Sequence, residues 1–212
     1  MRKVIRIYDV YDYAELSEDA KEKAKSSYLD GQEPEIFTEN CEENLAYLFP
    51  NSDLRVEYRL AYCQGDGLNI YGELDPLDVI DLLREKKCGD TFSEENKSFT
   101  EKNEKTIKAY VKMFNFKISL PMNRSGYTHC IADRTDFADE WIEELEFNYF
   151  RSINLEAIKK FECIVASVFR KLAAQYEEDG YEYFYEISDE DMEEICEANE
   201  YRFLKNGTYF VA

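Results

Sequence analysis

Histidine is almost missing from this 212-residue chain: His129 is the only one. The six cysteines (Cys41, Cys63, Cys88, Cys130, Cys163 and Cys196) never fall in a CxxC pair. A Cys/His metal site of the usual ligand spacing is therefore excluded, and the expectation is six reduced, mostly buried thiols. HExxH, GxSxG, a Walker loop and a dinucleotide fingerprint are all absent, so none of the standard catalytic or nucleotide-binding signatures applies. No apolar run approaches the roughly 18–20 residues that cross a bilayer. The first residues alternate and reach Asp9 without the apolar stretch of a signal peptide. Together these gaps predict a protein of the cytoplasm with no cofactor, no metal and no membrane partner, one that binds rather than catalyses.

What is abundant is acid. Lysine and arginine total 26, aspartate and glutamate 46, and the net charge is −20. Such a field repels nucleic acid and anionic membranes and attracts basic surfaces. Aromatics are also plentiful, with 17 Tyr and 14 Phe, and hydrophobic residues make up 44%. That is ample buriable surface for a folded chain and excludes intrinsic disorder.

Helical and strand patterns mix without a βαβ rhythm, which predicts an α+β fold: an antiparallel sheet built from hairpins, packed against several helices. Residues 4–8 alternate as a short strand. Ser17 is placed to cap a helix running through Ala20, Ala24 and Tyr28 to Gly31. A second helix is expected over 36–48, before Pro50. Residues 54–62 and 68–72 flank Gln64-Gly65-Asp66-Gly67 as a hairpin. Asp75-Pro76-Leu77-Asp78 opens a helix, with Asp75 at the cap and Asp78 reaching back to it. Residues 88–104 are polar and aperiodic, an exposed loop and a possible boundary between subdomains 1–90 and 105–212. Alternation over 107–120 predicts a strand with a bulge, a turn over 121–126 and a partner strand over 127–133. Leu155, Ile158, Phe161, Val165, Val168, Leu172 and Tyr176 mark a long helix ending at Gly180. Ser188 caps a short helix through Met192, Ile195 and Cys196, and residues 201–211 close the chain as a hairpin around Asn206-Gly207.

Two places invite a chemical reading. The Gln64-Gly65-Asp66-Gly67 turn has glycines that let N–H groups converge on an anion or a metal, but it has no Lys or Arg and does not lead straight into a helix, so a routine tight Asp-Gly hairpin is the favoured reading. His129 sits beside Cys130, yet adjacent strand residues point to opposite faces, so the two do not form a nucleophile–base pair. No catalytic residues are assigned.

The acids cluster. Residues 177–200 hold twelve and no Lys or Arg. Glu177, Glu178, Asp179, Glu182, Asp189, Glu190, Asp191, Glu193, Glu194 and Glu197 are the candidate partner-binding set. A second patch consists of Asp136, Asp139, Glu140, Glu143 and Glu144, with Arg134 as the nearby base. Asp189, Glu190 and Asp191 suit a helix N-terminus, whereas Glu193, Glu194 and Glu197 continue without the i+4 lysines that relieve repulsion.

Three motifs in order resemble a family of small proteins of phage and mobile-element genomes. Residues 13–24 (YAELSEDAKEKA) are similar to its opening, Gln64-Gly65-Asp66-Gly67 to its hairpin, and Ser188-Asp189-Glu190 with Glu197-Ala198-Asn199-Glu200-Tyr201-Arg202-Phe203 and Gly207 to its close. The matches span most of the chain, which makes residues 1–212 one family unit. The resemblance implies a phage or prophage setting and carries over no catalytic residues. By analogy with acidic phage accessory proteins it implies a counter-defence role of the anti-CRISPR or antirestriction type, in which an acidic surface imitates nucleic acid. The partner would be a basic nucleic-acid-binding protein of the host cell, a CRISPR effector or restriction enzyme, with no direct contact to nucleic acid. The alternatives are an antitoxin of a toxin–antitoxin pair and a small enzyme using the Gly65-Asp66-Gly67 turn and His129.

Overall fold

The computed structural model describes residues 6–85, 90–122, 137–148 and 153–211. They form eight α-helices and one three-stranded antiparallel sheet, an α+β fold. The helices are α1 (Glu18–Leu29), α2 (Pro34–Leu48), α3 (Pro76–Glu85), α4 (Ser93–Ser98), α5 (Glu101–Phe114), α6 (Phe137–Phe147), α7 (Leu155–Tyr185) and α8 (Asp189–Ala198). The strands β1 (Asp53–Arg59), β2 (Gly67–Leu74) and β3 (Ile118–Leu120) lie in that order. Among the described residues no helix is long and apolar enough to cross a membrane.

The chain divides into two compact units, one of Met1–Pro34 with Asp179–Ala212 and one of Glu35–Glu178. In the larger unit, period-two patterning puts Leu54 and Val56 of β1 and Leu68, Ile70 and Leu74 of β2 on one buried face. Aromatic side chains fill much of its core: Phe49 stacks on Phe169, and Phe161 contacts Phe99, Phe137 and Trp141. The long stripe of α7 expected from residue 155 supplies Ile158, Phe161, Val165, Val168 and Leu172 to this core.

Several expectations are corrected here. Residues 93–98 and 101–104 are helical rather than loop, and the whole stretch 90–104 lies inside the larger unit. The Arg84 side chain ties them down: its Nε donates to Glu104 at 2.6 Å and its Nη2 to the Phe99 carbonyl at 2.6 Å, with a further bond to Asn96. Glu95, nearly buried, accepts from Ser167 at 2.7 Å and pairs with Lys171 at 2.8 Å.

Residues 107–114 belong to helix α5 and not to a bulged strand, and only Ile118–Leu120 pair with β2. Ile107, Tyr110 and Val111 are buried at helical spacing, Thr100 caps the start, and Asn115 ends the helix in the left-handed region at φ 53°. Helix α7 runs through Gly180 to Tyr185. An interior glycine costs roughly 1 kcal/mol; Tyr181, Tyr183 and Phe184 beyond it are half-buried.

Asp78 does not reach back to the α3 cap; it is buried and accepts from Asn51 and Ser52. Asp75 caps α3 as expected, accepting from Leu77 N at 2.8 Å. Of the strand expected over 4–8, residues 4 and 5 lie outside the described residues and 6–8 are not strand; Tyr11 bridges to Phe203. Of the described cysteines Cys41 and Cys196 are buried but Cys63 and Cys163 are exposed, and all four are free thiols. Cys88, Cys130, His129 and the strand expected over 127–133 lie outside the described residues.

Candidate functional site

The smaller unit is built from the two ends of the chain. A 3-10 turn (Tyr13–Glu15) and α1 pack against α8 and the closing hairpin, burying Tyr13, Leu16, Ala20, Ala24, Met192, Cys196 and Phe203 together. Phe203 bridges Tyr11 on one side and Tyr209 on the other, and Leu204 N donates to Thr208 O at 2.8 Å to close the hairpin. Gly207 has φ +77°, and a Cβ there would lie 2.0 Å from the Ala20 carbonyl oxygen, so the close approach of the hairpin tip to α1 requires glycine at this position. The opening and closing motifs of the sequence are thus one folding unit. Its residues hold eighteen acids against eight lysines and arginines, a net −10.

Ser188 caps α8 by accepting from Asp191 N at 3.0 Å. Burial of Met192 and Cys196, four residues apart, fixes which side of α8 faces the core. Glu190, Asp191, Glu194 and Glu197 are therefore exposed and Glu193 half-buried. Among the described residues Glu190, Glu193, Glu194 and Glu197 have no ion pair. Asp191 accepts from the Ser188 hydroxyl at 2.6 Å.

Asp189 differs from its neighbours. It takes the Lys25 ammonium at 2.6 Å and the Tyr13 hydroxyl at 2.9 Å, and these two hold its carboxyl below the usual range. Asp189 is a strut between α8 and α1 and adds little to a free negative face. Asp179 and Glu182, both exposed, stand on the last turns of α7.

Glu177 and Glu178 belong to the larger unit. So does the second patch: Asp139, Glu140, Glu143 and Glu144 are exposed on α6, away from buried Phe137, Ala138, Trp141 and Leu145. Asn148 donates to Glu144 at 3.0 Å. Asp136 is outside the described residues.

The Gln64-Gly65-Asp66-Gly67 turn satisfies its own acid. Asp66 is buried and accepts from Ala61 N at 2.7 Å, Cys63 N at 3.0 Å and the Cys63 thiol at 3.1 Å. Gly65 takes φ +99° in the turn. The hydrogen bond to Asp66 also pushes the Cys63 thiol pKa up, which lowers its thiolate fraction. Both carboxylate oxygens of Asp66 are turned on the hairpin itself.

Sequence reasoning missed a cleft of about 310 Å³ in the smaller unit. Asp12, Ala14 and Glu15 form one wall, Glu193 and Glu197 of α8 another, and Tyr201 and Arg202 a third, with Tyr13 and Cys196 on the core side. Arg202 Nε lies 3.1 Å from Asp12, and its Nη1 donates to the Tyr201 carbonyl at 2.9 Å. Glu15 accepts from Asp12 N at 3.0 Å. Burial, with Glu193 nearby, pushes the Cys196 thiol up to about 11, so it is not a nucleophilic thiolate at neutral pH. Only the tertiary pairing of residues 12–15 with 193–202 creates this cleft, and no local spacing announces it.

Among the described residues no group of three or more His, Cys, Asp or Glu side chains is arranged to hold a metal ion. No protein-family model, no curated protein sequence and no solved structure matches the chain.

Proposed function

We propose that this protein is a counter-defence factor of a phage or mobile element, acting in the host cytoplasm by binding rather than catalysis. Its acidic surface enters the basic nucleic-acid channel of a host effector, a CRISPR nuclease or restriction enzyme, and blocks it. The observation that carries this reading is the outward side of α8, where Glu190, Glu193, Glu194 and Glu197 lie within three turns with no ion pair among the described residues. Charges closer than a Debye length of about 8 Å repel one another at physiological salt. A partner lined with arginine and lysine removes that repulsion and releases its own counter-ions, as a nucleic acid would. The resemblance of the motifs at both chain ends to those of phage and mobile-element proteins supports the setting.

The test is inhibition and capture. The tagged chain, incubated with host lysate, is expected to retain a nucleic-acid-binding effector and to inhibit its cleavage of DNA, both falling steeply as salt rises. The variant Glu190→Lys/Glu193→Lys/Glu194→Lys/Glu197→Lys is expected to fold normally and inhibit nothing. Undiminished inhibition by that variant rejects the proposal. Capture of a small toxin in place of an effector selects the antitoxin reading.

A further inference from the structure

The cleft beside α8 is more than an exposed acidic face needs. At about 310 Å³ it sits at the small end of ligand pockets, which run from roughly 300 to 1,000 Å³. That is room for one long side chain. Asp12 and Glu15 approach from the 3-10 turn and Glu193 and Glu197 from α8, while Arg202 offsets one of the four charges. An anion is excluded by this lining. A divalent cation fits poorly as well, because no three of these carboxylates converge as a metal set among the described residues. Acids spread around a pocket with tyrosines beside them suit a ligand whose positive charge is itself spread over several donors. The chain already holds such a group at the rim, where the Arg202 guanidinium is gripped by one carboxylate and one carbonyl.

The geometry points to an arginine socket: the cleft receives a single arginine side chain of the basic partner. Its guanidinium lies among Glu15, Glu193 and Glu197, and its aliphatic stem runs against the half-buried Tyr201. Arginine suits this lining better than lysine because its planar fork donates in several directions, stacks on aromatic rings and gives up hydration more readily. Arginines that fill such pockets are typical anchors of protein interfaces. The inference rests on the acidic face being a partner surface, and it names the residue the partner inserts.

Calorimetric titration of the full chain with hexa-arginine and hexa-lysine peptides at physiological salt tests it. Glu193→Gln/Glu197→Gln removes two charges inside the cleft, and Glu190→Gln/Glu194→Gln removes two from the same helix outside it. Ala14→Phe fills the cleft with no change of charge. Hexa-arginine is expected to bind at least about threefold tighter than hexa-lysine. Glu193→Gln/Glu197→Gln and Ala14→Phe should each weaken it about tenfold, and Glu190→Gln/Glu194→Gln less than about threefold. Circular dichroism checks the fold of each variant, and the two charge-matched pairs decide alone if Ala14→Phe does not fold. Equal losses for those pairs overturn the socket and leave the acidic-face reading standing. Failure of the wild-type chain to bind hexa-arginine also overturns the socket. Binding that no variant alters overturns the socket and the acidic-face reading together.

Discussion

Lys25 and Asp189 meet across the smaller unit, ammonium to carboxylate at 2.6 Å, with the Tyr13 hydroxyl donating to the same oxygen at 2.9 Å. One acid from the densest acidic run of the chain is thereby spent on joining α8 to α1.

That junction makes stability depend on pH at both ends. Lys25 and Tyr13 hold the Asp189 pKa down, so its contribution is present above the unfolded carboxylate value of about 3.9 and is lost as pH falls through the folded value. Asp189 in turn raises Lys25, and burial followed by the Asp189 hydrogen bond raises Tyr13. Their contributions are present below about 10 and are lost as pH climbs through the folded values. Asp189→Asn should lower stability at pH 7 and flatten the acid limb. Urea unfolding at pH 7 and pH 3 checks this; an unchanged acid limb would show that the pair carries no linkage.

Gly207→Ala should destabilise the protein by more than about 2 kcal/mol, because the added methyl meets the Ala20 carbonyl at 2.0 Å and the backbone is at φ +77°. Hydrogen exchange of the α1 and α8 amides, together with a denaturant melt, reads the effect. A loss confined to the hairpin amides would mean that α1 moves aside at little cost.

Asp78→Ala removes a buried acceptor that serves Asn51 N at 2.9 Å, Asn51 Nδ2 at 2.8 Å and Ser52 Oγ at 2.7 Å. Ser52 Oγ in turn accepts from Asp75 N at 2.9 Å, so the start of α3 loosens with it. The expected loss is about 3 kcal/mol, measured by the shift in urea midpoint at constant slope.

Asp66→Asn should make Cys63 more reactive. The carboxylate raises the thiol pKa by accepting its hydrogen bond, and its removal frees thiolate. The rate of iodoacetamide labelling at pH 8, followed by peptide mass spectrometry with exposed Cys163 as internal reference, should rise for Cys63 alone. A slower rate would place control of the thiol elsewhere.

Elements with local stop and start signals were legible in the sequence. Ser17, Asp75 and Ser188 sit at the helix caps where they were expected, and the Asp-Gly turn joins β1 to β2. Residues 93–104 are polar and aperiodic and so read as loop, while Ile107, Ala109, Val111 and Met113 happen to alternate and so read as strand. The deciding signals were the i,i+4 pairs, Glu101 with Lys105 at 2.6 Å and Glu104 with Lys108 at 3.0 Å, which only a helix brings together. Asp78 fits the capping-box spacing but is buried and serves the Asn51–Ser52 connection instead, a partner that spacing within the helix does not announce.

The residue order by itself determined the α+β mixture, the surplus of acid and its concentration near the C-terminus, because helix periodicity, turn chemistry and composition are local properties. Tertiary structure decided which of those acids remain unpaired and that four of them line one cleft. Coulomb attraction depends on distance through space: Asp189 has no basic neighbour along the chain, yet α1 carries Lys25 to it, while Glu190, Glu193, Glu194 and Glu197 on the same helix receive no such partner among the described residues.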